Sequence, residues 1–272
     1  MSPVDLPWPH LGLAFALTVA ISALGFRRID WFVSLGYAFS IAAQAIVFGL
    51  LYRATLDLWT VLQLVLLFAY GARLGFYLIS REAAPSFSAE LAASKERGRH
   101  IAGLVKIAIW ISVAALYVAM FSPGLLSLWQ QAQGRALPFI PPGLAIMLLG
   151  LGIEALADWQ KARFKAANPK RFADIGLYRL VRSPNYFGEM VFWLGALISG
   201  ISAYANLFAW LIALVGFVCI QLIMVGSARR LEIKQAERYG TDPAYQRYVA
   251  TVPVLFPLLP IFSVRNWKIY LG

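Results

Sequence analysis

The chain has 272 residues, 60% of them in the hydrophobic set and only 14% charged. A water-soluble domain carries roughly 25% charged residues, so most of this surface must face lipid. A net charge of +11 suits a nucleic-acid-binding protein, but here the cations lie in the breaks between apolar runs. That pattern is typical of loops that face anionic headgroups, so membrane lipid is the expected partner and nucleic acid is not.

The scarcity of cysteine and histidine excludes several kinds of site. Cys219 is the only cysteine, and the only histidines, His10 and His100, lie far apart. A disulfide framework, a metal centre and a Ser/His/Asp arrangement are therefore not expected. Neither a GxGxxG fingerprint nor a P-loop is present, so any dinucleotide binds outside a Rossmann domain. The first residues lack the basic segment of a signal peptide, so the first apolar run is expected to remain as a helix.

Seven apolar runs follow one another along the chain. Most reach the ~20 residues that a helix needs to cross a bilayer core of ~30 Å. The sixth is short and carries Asn185 and Glu189 directly after Pro184, so we expect it to begin in a protein-lined cavity. The runs are Leu11–Phe26, Trp31–Leu51, Leu58–Ile79, Ile101–Phe121, Pro142–Trp159, Tyr186–Ile201 and Ala205–Val225.

Lysine and arginine are concentrated on one side of the predicted membrane. They lie in the breaks after the first, third and fifth runs, including Lys95 and Arg97, and in the C-terminal tail, while the other side keeps only Arg53 and Arg135. Because cytoplasmic loops are enriched in cations, we predict an all-α integral membrane protein of about seven transmembrane helices, with the N-terminus outside and the C-terminus cytoplasmic. The bacterial inner membrane is the expected location, or the endoplasmic reticulum membrane in a eukaryote.

Three polar segments, Arg81–His100, Lys161–Arg182 and Arg229–Arg247, fall on this cytoplasmic side. Folded together they make one basic, partly aromatic cap, which suits a polyanion such as a dinucleotide phosphate. Attraction to lipid headgroups accounts for the same charge without any ligand. The sequence has no internal repeat and no second soluble domain, so we expect a single membrane domain over residues 1–272, and a monomer.

The polar residues within the apolar runs are the candidates for function. Ser183 before Pro184 predicts the start of a helix, and Asn185 and Glu189 then lie one turn apart on one face of it. An amide and a carboxylate together can bind a group that has both a donor and an acceptor, such as the carboxamide of nicotinamide. The alternative is that both side chains only hydrogen-bond neighbouring helices.

Cations and acids flank this predicted helix start. Arg179 and Arg182 precede it and suit phosphate. Glu154 and Asp158 lie one turn apart at the end of the fifth run. These two acids either form salt bridges with the cations that follow or bind ribose hydroxyls or an adenine amine.

The third run carries Tyr70, Arg73 and Tyr77 on one face. An arginine inside a span needs a partner or a cavity, and a tyrosine beside it can donate a hydrogen bond to a substrate carbonyl. Packing at the membrane interface is the alternative for both tyrosines. The intramembrane amides Gln44 and Gln63 either line a cavity or hydrogen-bond between helices.

Four sequence elements between Glu154 and Pro257 resemble a known family. They are Ala157-Asp-Trp-Gln, Gly176-Leu-Tyr-Arg-Leu-Val-Arg-Ser-Pro-Asn-Tyr-Phe-Gly-Glu189, Trp193-x-Gly195, and Tyr245-Gln-Arg-Tyr248 ahead of Pro253 and Pro257. These elements, over a little more than a third of the chain, resemble the C-terminal domain of steroid 5-alpha-reductases, including bacterial relatives of unassigned function. The core Arg-x-Pro-Asn-Tyr-x-Gly-Glu also resembles that of sterol reductases and, more loosely, isoprenylcysteine carboxyl methyltransferases.

The resemblance implies a seven-helix membrane fold that binds NADPH in a cytoplasm-facing cavity and reduces the carbon–carbon double bond of a 3-oxo-4-ene steroid. It implies that Asp158 contacts the adenosine part and that Arg171 and Lys165 meet phosphates. Asn185 and Glu189 would hold the nicotinamide carboxamide. The other cofactor candidates in the matching segments are Arg179, Arg182, Tyr186, Arg229, Arg230 and Tyr248. Residues Gly240–Pro243 look like an insertion, and the family's usual histidine there has no counterpart.

The resemblance also implies where the substrate binds. Tyr70 aligns with a family tyrosine that hydrogen-bonds the steroid ketone. The family's partner glutamate, one helix earlier, has no counterpart, and Gln44 is the nearest polar candidate for that role. Residues 1–135 are then the substrate-chamber helices and residues 136–272 the NADPH-binding region, and an apolar steroid or other enone enters from the bilayer.

Two other function classes fit parts of the sequence. A methyltransferase of the isoprenylcysteine type, using S-adenosylmethionine, shares the core motif, but its cofactor needs less positive charge than Lys161–Arg182 supplies. A non-enzymatic transporter or lipid-binding protein explains polar groups within spans. A transporter is, however, expected to have broken helices in paired repeats, and the sequence has none.

Overall fold

A computed structural model describes residues 6–83, 92, 96 and 98–269, so the loop cations Lys95 and Arg97 lie outside the described residues. The described chain is helical and contains no strand. The helices are α1 Trp8–Ser22, α2 Leu35–Leu51, α3 Leu58–Ala83, α4 Gly103–Ala132, α5 Ile140–Ala167, α6 Pro184–Ser199, α7 Leu207–Tyr239 and α8 Pro243–Thr251. Short 3-10 helices cover Ala23–Phe26, Ile29–Phe32, Gly176–Arg179 and Ile201–Ala203.

Seven helical segments among the described residues are long and apolar enough to cross a membrane. They follow the seven predicted runs, which confirms the predicted fold class of an all-α integral membrane protein. The orientation of the termini and the identity of the membrane stay predictions. The sixth segment begins at Pro184, where the sequence predicted a helix start, and reaches Ala203 only by adding a 3-10 turn to α6.

Four helices, α3, α4, α5 and α7, are longer than the apolar runs that predicted them. α5 continues past Trp159 to Ala167, and α7 continues past Val225 to Tyr239. Lysine, arginine, glutamate and glutamine are good helix formers, so the helices persist where hydrophobicity ends.

α4 runs through Pro123. Proline removes the hydrogen bond to the carbonyl four residues earlier, and here the Ser122 hydroxyl donates to that Ala119 carbonyl instead, at 2.7 Å.

The described contacts divide into two compact units. The first contains the described residues up to Leu144 together with Ala196–Phe217, and the second contains Ala145–Gly195 together with the described residues from Val218 onward. In the first unit, α2 and α3 pack most closely at Gly71. A Cβ there would lie 2.4 Å from the Ala38 carbonyl oxygen, so only glycine permits this approach.

A buried cation joins the start of the second span to the end of α3 in the first unit. Arg28 donates from Nε to Asp30 at 2.8 Å and also forms an ion pair with Glu82. The Trp31 indole donates to the same Glu82 carboxylate at 3.2 Å, and the Arg28 guanidinium lies 4.8 Å from the Trp31 ring centroid. These contacts satisfy a nearly fully buried arginine, as burial of a charge requires.

The second unit is built on a glycine contact between α5 and α6. A Cβ at Gly150 would lie 2.3 Å from the Phe192 backbone nitrogen, and one at Gly188 would lie 2.6 Å from the Glu154 nitrogen. The two backbones therefore touch directly, which is how small residues let membrane helices approach. This contact sets the distance between the helices that carry Glu154 and Glu189.

We predict that Gly150→Ala destabilises the protein and Gly152→Ala does not. The new methyl group at position 150 meets backbone atoms and must separate α5 from α6, which costs about 1–3 kcal/mol. Nothing lies within 4 Å of the same group at position 152, and alanine favours a helix over glycine by up to about 1 kcal/mol. Thermal unfolding in detergent, followed by tryptophan fluorescence, measures both. Equal midpoints for the two variants would contradict the close contact.

Candidate functional site

The start of α6 is held by the C-terminal segment of the chain. The backbone N–H groups of Arg182 and Ser183 donate to the carbonyls of Pro253 and Val254, at 2.8 and 3.0 Å. The helix then begins at Pro184, whose missing N–H costs nothing at a first helical position. The position of the first turn of α6 is therefore fixed from outside the helix.

Asn185 and Glu189 occupy the first turns of α6. Glu189 is buried, and the Asn185 side-chain oxygen is buried without a hydrogen-bond partner among the described residues. An acceptor left in that state costs about 1–3 kcal/mol, so a bound donor group would satisfy it. Gly188 between them packs on the Glu154 backbone, which places this pair on a helix directly beside the acids of α5.

Glu154 and Asp158 lie one turn apart on α5, and both are buried, at 3% and 6% exposure. Carboxylates are rarely buried to this extent unless they are paired or bind a ligand. Together with Glu189 they make three buried carboxyl side chains on two touching helices, and the half-buried Asn185 adds its buried side-chain oxygen. The structure thus places the Glu154–Asp158 pair and the Asn185–Glu189 pair on two helices that are in contact.

The predicted phosphate ligands fall into two groups. Lys165 donates to the carbonyls of Pro169 and Arg171, at 3.0 and 2.6 Å, and contacts the Tyr239 hydroxyl at 3.0 Å. An ammonium group has three donors, so Lys165 is fully engaged inside the unit. Arg171, Arg179 and Arg230 are instead exposed at the surface, where Arg171 pairs with Asp174 at 3.3 Å.

Arg182, like Lys165, already forms hydrogen bonds within the second unit. It is 3% exposed, lies 3.4 Å from the buried Glu232 carboxylate of α7, and donates to the Phe262 carbonyl at 2.5 Å. The other Glu232 oxygen accepts the Val264 N–H at 2.9 Å. Arg229 donates to the Arg265 carbonyl at 2.9 Å. The contacts of Arg182 and Arg229 hold the C-terminal segment, and their role toward a cofactor stays a prediction.

Gln160 has a role that its place in the Ala157-Asp-Trp-Gln motif did not reveal. Its side-chain oxygen accepts the Leu177 N–H at 2.9 Å. Gly176 has φ +51°, and a Cβ there would lie 2.3 Å from that same oxygen. The loop before α6 is therefore clamped to α5. A groove of about 430 Å³ opens beside the clamp, lined by Trp159, Gln160, Arg163, Phe164, Ala167, Asn168, Ile175 and Gly176.

Tyr248 lies in an aromatic cluster, and its role toward a cofactor stays a prediction. Its hydroxyl donates to the Tyr178 carbonyl at 2.7 Å, and its ring lies 5.2 Å from that of Phe172. Burial raises the pKa of Tyr248 above its ordinary value, so the phenol keeps the proton that it donates. Tyr239 and Tyr245 complete the cluster around Phe172. Tyr186, beside Asn185, is half-buried.

In the first unit, Tyr70 is fully buried and has a partner that the sequence did not reveal. Its hydroxyl lies 2.7 Å from that of Tyr37 on α2, and the Tyr37 ring stacks on Tyr117 at 5.5 Å. The hydroxyl of Tyr117 donates to the Phe32 carbonyl. Tyr37 lies seven residues before Gln44, so both side chains fall on the same face of α2. This seven-residue spacing could have identified Tyr37 as a candidate from the sequence.

The two intramembrane amides are both engaged in hydrogen bonds. Gln44 donates from Nε2 to the carbonyls of Ser40 and Tyr117, at 3.2 and 3.3 Å, and its side-chain oxygen is buried without a partner among the described residues. Gln63 donates to the Ser199 hydroxyl at 2.7 Å, which confirms that it hydrogen-bonds between helical segments. Gln44 thus keeps an acceptor, and not a donor, for a ligand.

An apolar groove of about 350 Å³ opens on the surface of the first unit. It lies between α1, α4 and the first turns of α7, whose Gly216 packs against the Ala119 backbone. No charged side chain among the described residues lines the groove, so it suits a hydrocarbon ligand or lipid. Its walls are Leu11, Phe15, Ala115, Val118, Ala119, Leu211, Ile212 and Val215.

Comparison with known protein families gives one match. The family described as "Protein of unknown function (DUF1295)", which is steroid 5-alpha-reductase-like, matches residues 15–252. The match covers most of the chain, and it includes Tyr70, Asn185 and Glu189. The comparisons with curated proteins and with solved structures found no match.

We predict that Glu232→Gln strongly destabilises the second unit, while Asp174→Asn has little effect. The first change leaves the buried Arg182 charge without its counter-ion, which costs about 3–5 kcal/mol. The exposed pair of Asp174 with Arg171 contributes only about 0–1 kcal/mol. Thermal unfolding of the purified variants in detergent gives the comparison. A Glu232→Gln midpoint as high as that of Asp174→Asn would show that the pair does not hold the C-terminal segment.

Proposed function

We propose that this chain, which belongs to the steroid 5-alpha-reductase-like DUF1295 family, is a membrane-embedded NADPH-dependent reductase. Its substrates would be apolar enones such as 3-oxo-4-ene steroids, in which it reduces the carbon–carbon double bond. The proposal rests on two side chains at the start of α6. The buried Asn185 oxygen, which lacks a partner among the described residues, lies one turn before the buried Glu189 carboxylate.

A nicotinamide carboxamide fits this pair chemically. Its NH₂ group can donate to the Asn185 oxygen and to the Glu189 carboxylate, and its carbonyl can accept from the Asn185 amide nitrogen. Binding would thus satisfy an atom that otherwise costs about 1–3 kcal/mol to bury. When bound, NADPH supplies a hydride to the beta carbon of the enone. Asn185 and Glu189 orient the ring, and the burial of the site excludes water.

The phosphates are assigned to the exposed cations. Arg171, Arg179 and Arg230 present guanidinium groups at the surface of the second unit, and guanidinium binds phosphate in a bidentate manner. Lys165 and Arg182 are less suitable, because their donors already bond backbone carbonyls and side chains of the unit. We therefore propose that these two residues shape the site and that the exposed arginines bind the cofactor.

The adenosine end is assigned to the groove beside Gln160. Trp159 and Phe164 give it aromatic walls, and the Arg163 guanidinium lies 5.4 Å from the Trp159 ring centroid. A flat base can stack on such walls. Asp158, which follows Ala157 in the family motif and directly precedes Trp159, would accept hydrogen bonds from the ribose or from the adenine amine.

Polarisation of the ketone is assigned to Tyr70 and Tyr37. Hydride transfer to the beta carbon leaves negative charge on the ketone oxygen, and a hydrogen-bond donor aimed at that oxygen stabilises it. The Tyr37 hydroxyl, 2.7 Å from that of Tyr70, strengthens the donor through cooperative hydrogen bonding. Gln44 is not assigned as the second donor, because its amide hydrogens already bond the Ser40 and Tyr117 carbonyls. The alpha carbon is protonated afterwards.

The apolar groove between α1, α4 and α7 supports entry of the substrate from the bilayer. Its wall residues are aliphatic or aromatic, so a steroid or polyprenyl enone would leave lipid for a similar environment. A substrate that partitions into membranes needs no aqueous path. This is why an integral membrane location suits the proposed reaction.

The methyltransferase reading remains the second candidate, since the core motif is shared with that class. S-adenosylmethionine carries no phosphate, and the three exposed arginines of the second unit favour a dinucleotide. A transporter or lipid-binding role requires neither these cations nor the buried acids of α5 and α6. NADPH consumption by the purified protein with a panel of enones tests the proposal as a whole, and absence of turnover across the panel would overturn it.

We predict that NADPH raises the thermal unfolding midpoint of the protein and that S-adenosylmethionine does not. A ligand at about 100 times its Kd adds about 2.7 kcal/mol to the free energy of unfolding. Glu189→Gln should lose most of this stabilisation while it stays folded, because the neutral amide oxygen is a weaker acceptor than the carboxylate for the carboxamide. Glu237→Gln, an exposed glutamate on α7, is the matched control and should keep it. Undiminished NADPH stabilisation of Glu189→Gln would refute the assigned role.

We predict a graded loss of rate when the tyrosines of the first unit lose their hydroxyls. Tyr70→Phe removes the ketone donor and should lower kcat by about 10²–10³-fold. Tyr37→Phe removes one supporting hydrogen bond, worth about 0.5–1.5 kcal/mol, and should lower kcat by up to about tenfold. Tyr117→Phe loses only a bond to the Phe32 carbonyl and should keep kcat near that of the parent. Stopped-flow oxidation of NADPH measures all three, and equal rates for Tyr70→Phe and Tyr117→Phe would contradict the assignment.

A further inference from the structure

The segment Val252–Val264, here termed the tail loop, is apolar and yet is not a membrane span. It contains no charged residue. It is shorter than the ~20 residues that a spanning helix needs, and Pro253, Pro257 and Pro260 prevent a regular helix. The structure shows it as an irregular loop after α8. Apolar side chains in such a loop favour burial in the protein or in lipid over exposure to bulk water.

The base of the tail loop is buried and its tip is exposed. The Val254 N–H donates to the Ile261 carbonyl at 2.9 Å, which closes the loop. Leu255 and Val264 at the base are each 1% exposed, whereas Leu258 at the tip is 94% exposed and Leu259 is 49% exposed. The loop is thus fixed to the protein at one end and presents two leucines at the other.

Charged side chains of the second unit fix the direction in which the tail loop leaves the protein. The buried Arg182 and Glu232 bond the Phe262 carbonyl and the Val264 N–H. The N–H groups of Arg182 and Ser183 donate to the carbonyls of Pro253 and Val254. Since the membrane-crossing segment begins at the next residue, Pro184, the loop is attached at the level where α6 enters the bilayer.

Cations and a tryptophan follow the loop directly. Arg265 and Lys268 are exposed, and Trp267 and Phe262 are each 40% exposed. Apolar tips, interfacial aromatics and adjacent cations are the combination that binds the headgroup region of an anionic membrane. Leu180, in the loop before α6, is also an exposed apolar side chain, at 59%.

We propose that the tail loop inserts Leu258 and Leu259 into the headgroup and upper acyl region of the leaflet at the start of α6, while Arg265 and Lys268 bind anionic headgroups. The loop is then a second membrane contact of the second unit, in addition to its helices. It would hold the start of α6 against the membrane surface. The proposal does not depend on the reaction that the protein catalyses.

The test places an environment-sensitive fluorophore at the loop tip. Because Cys219 is the only cysteine, Cys219→Ser gives a background without reactive thiols, and Leu258→Cys is then labelled with a nitrobenzoxadiazole dye. Ala250→Cys, exposed on α8, is the matched control. The labelled full-length proteins are reconstituted into phosphatidylcholine vesicles with and without phosphatidylglycerol, and with nitroxide-labelled lipids that quench at shallow or deep positions.

The expected result is a blue-shifted emission at position 258 that shallow nitroxide lipids quench more strongly than deep ones, while the dye at position 250 emits as in water. Adding phosphatidylglycerol should increase the quenching, and Arg265→Gln with Lys268→Gln should remove that increase. Water-like emission at position 258 would overturn the proposal. So would a blue shift without lipid quenching, because it would place the tip against protein, whether a second copy or another chain. If phosphatidylglycerol did not change the extent of quenching, the assigned role of Arg265 and Lys268 would be overturned.

Discussion

The buried ion pair of Arg182 and Glu232 is the interaction on which the second unit depends. Glu232 of α7 accepts the Val264 N–H, and Arg182, just before α6, donates to the Phe262 carbonyl. The C-terminal segment in turn accepts the backbone N–H groups of Arg182 and Ser183 at the start of α6. Burying two charges gains little net stability, but it defines one arrangement of three chain segments. The positions of Asn185 and Glu189 follow from that arrangement, since both lie in the first turns of α6.

Lipid as a solvent explains why the polar residues of this chain are informative. Backbone and side-chain polar groups inside a membrane must find partners within the protein. The chain follows this rule at Ser122, which replaces the bond lost at Pro123, and at Gln63, which bonds Ser199. Against that background, the proposed cofactor site rests on the Asn185 oxygen, which lacks a hydrogen-bond partner among the described residues, and on the buried carboxyl groups of the two touching helices.

The sequence predicted the fold well because hydrophobicity and charge are local properties. All seven spans and the helix start at Pro184 follow from composition, periodicity and turn chemistry. The sequence did not predict where the helices end, because α5 and α7 continue into polar residues that favour helix. The roles of Tyr37 and Gln160 are tertiary contacts, with Tyr70 and with the Leu177 N–H, and no local pattern specifies such partners. For the same reason the internal partners of Arg182 were not predicted.

In the proposed reaction, the chain transfers a hydride from NADPH to the beta carbon of an apolar enone. The most direct test uses NADPH deuterated at the reactive C4 position, the reconstituted protein and a 3-oxo-4-ene steroid, with product analysis by mass spectrometry and NMR. We expect a saturated ketone with one deuterium at the beta carbon and a solvent-derived hydrogen at the alpha carbon. A reduced product whose beta carbon carries no deuterium, or no reduced product from any enone offered, would contradict it.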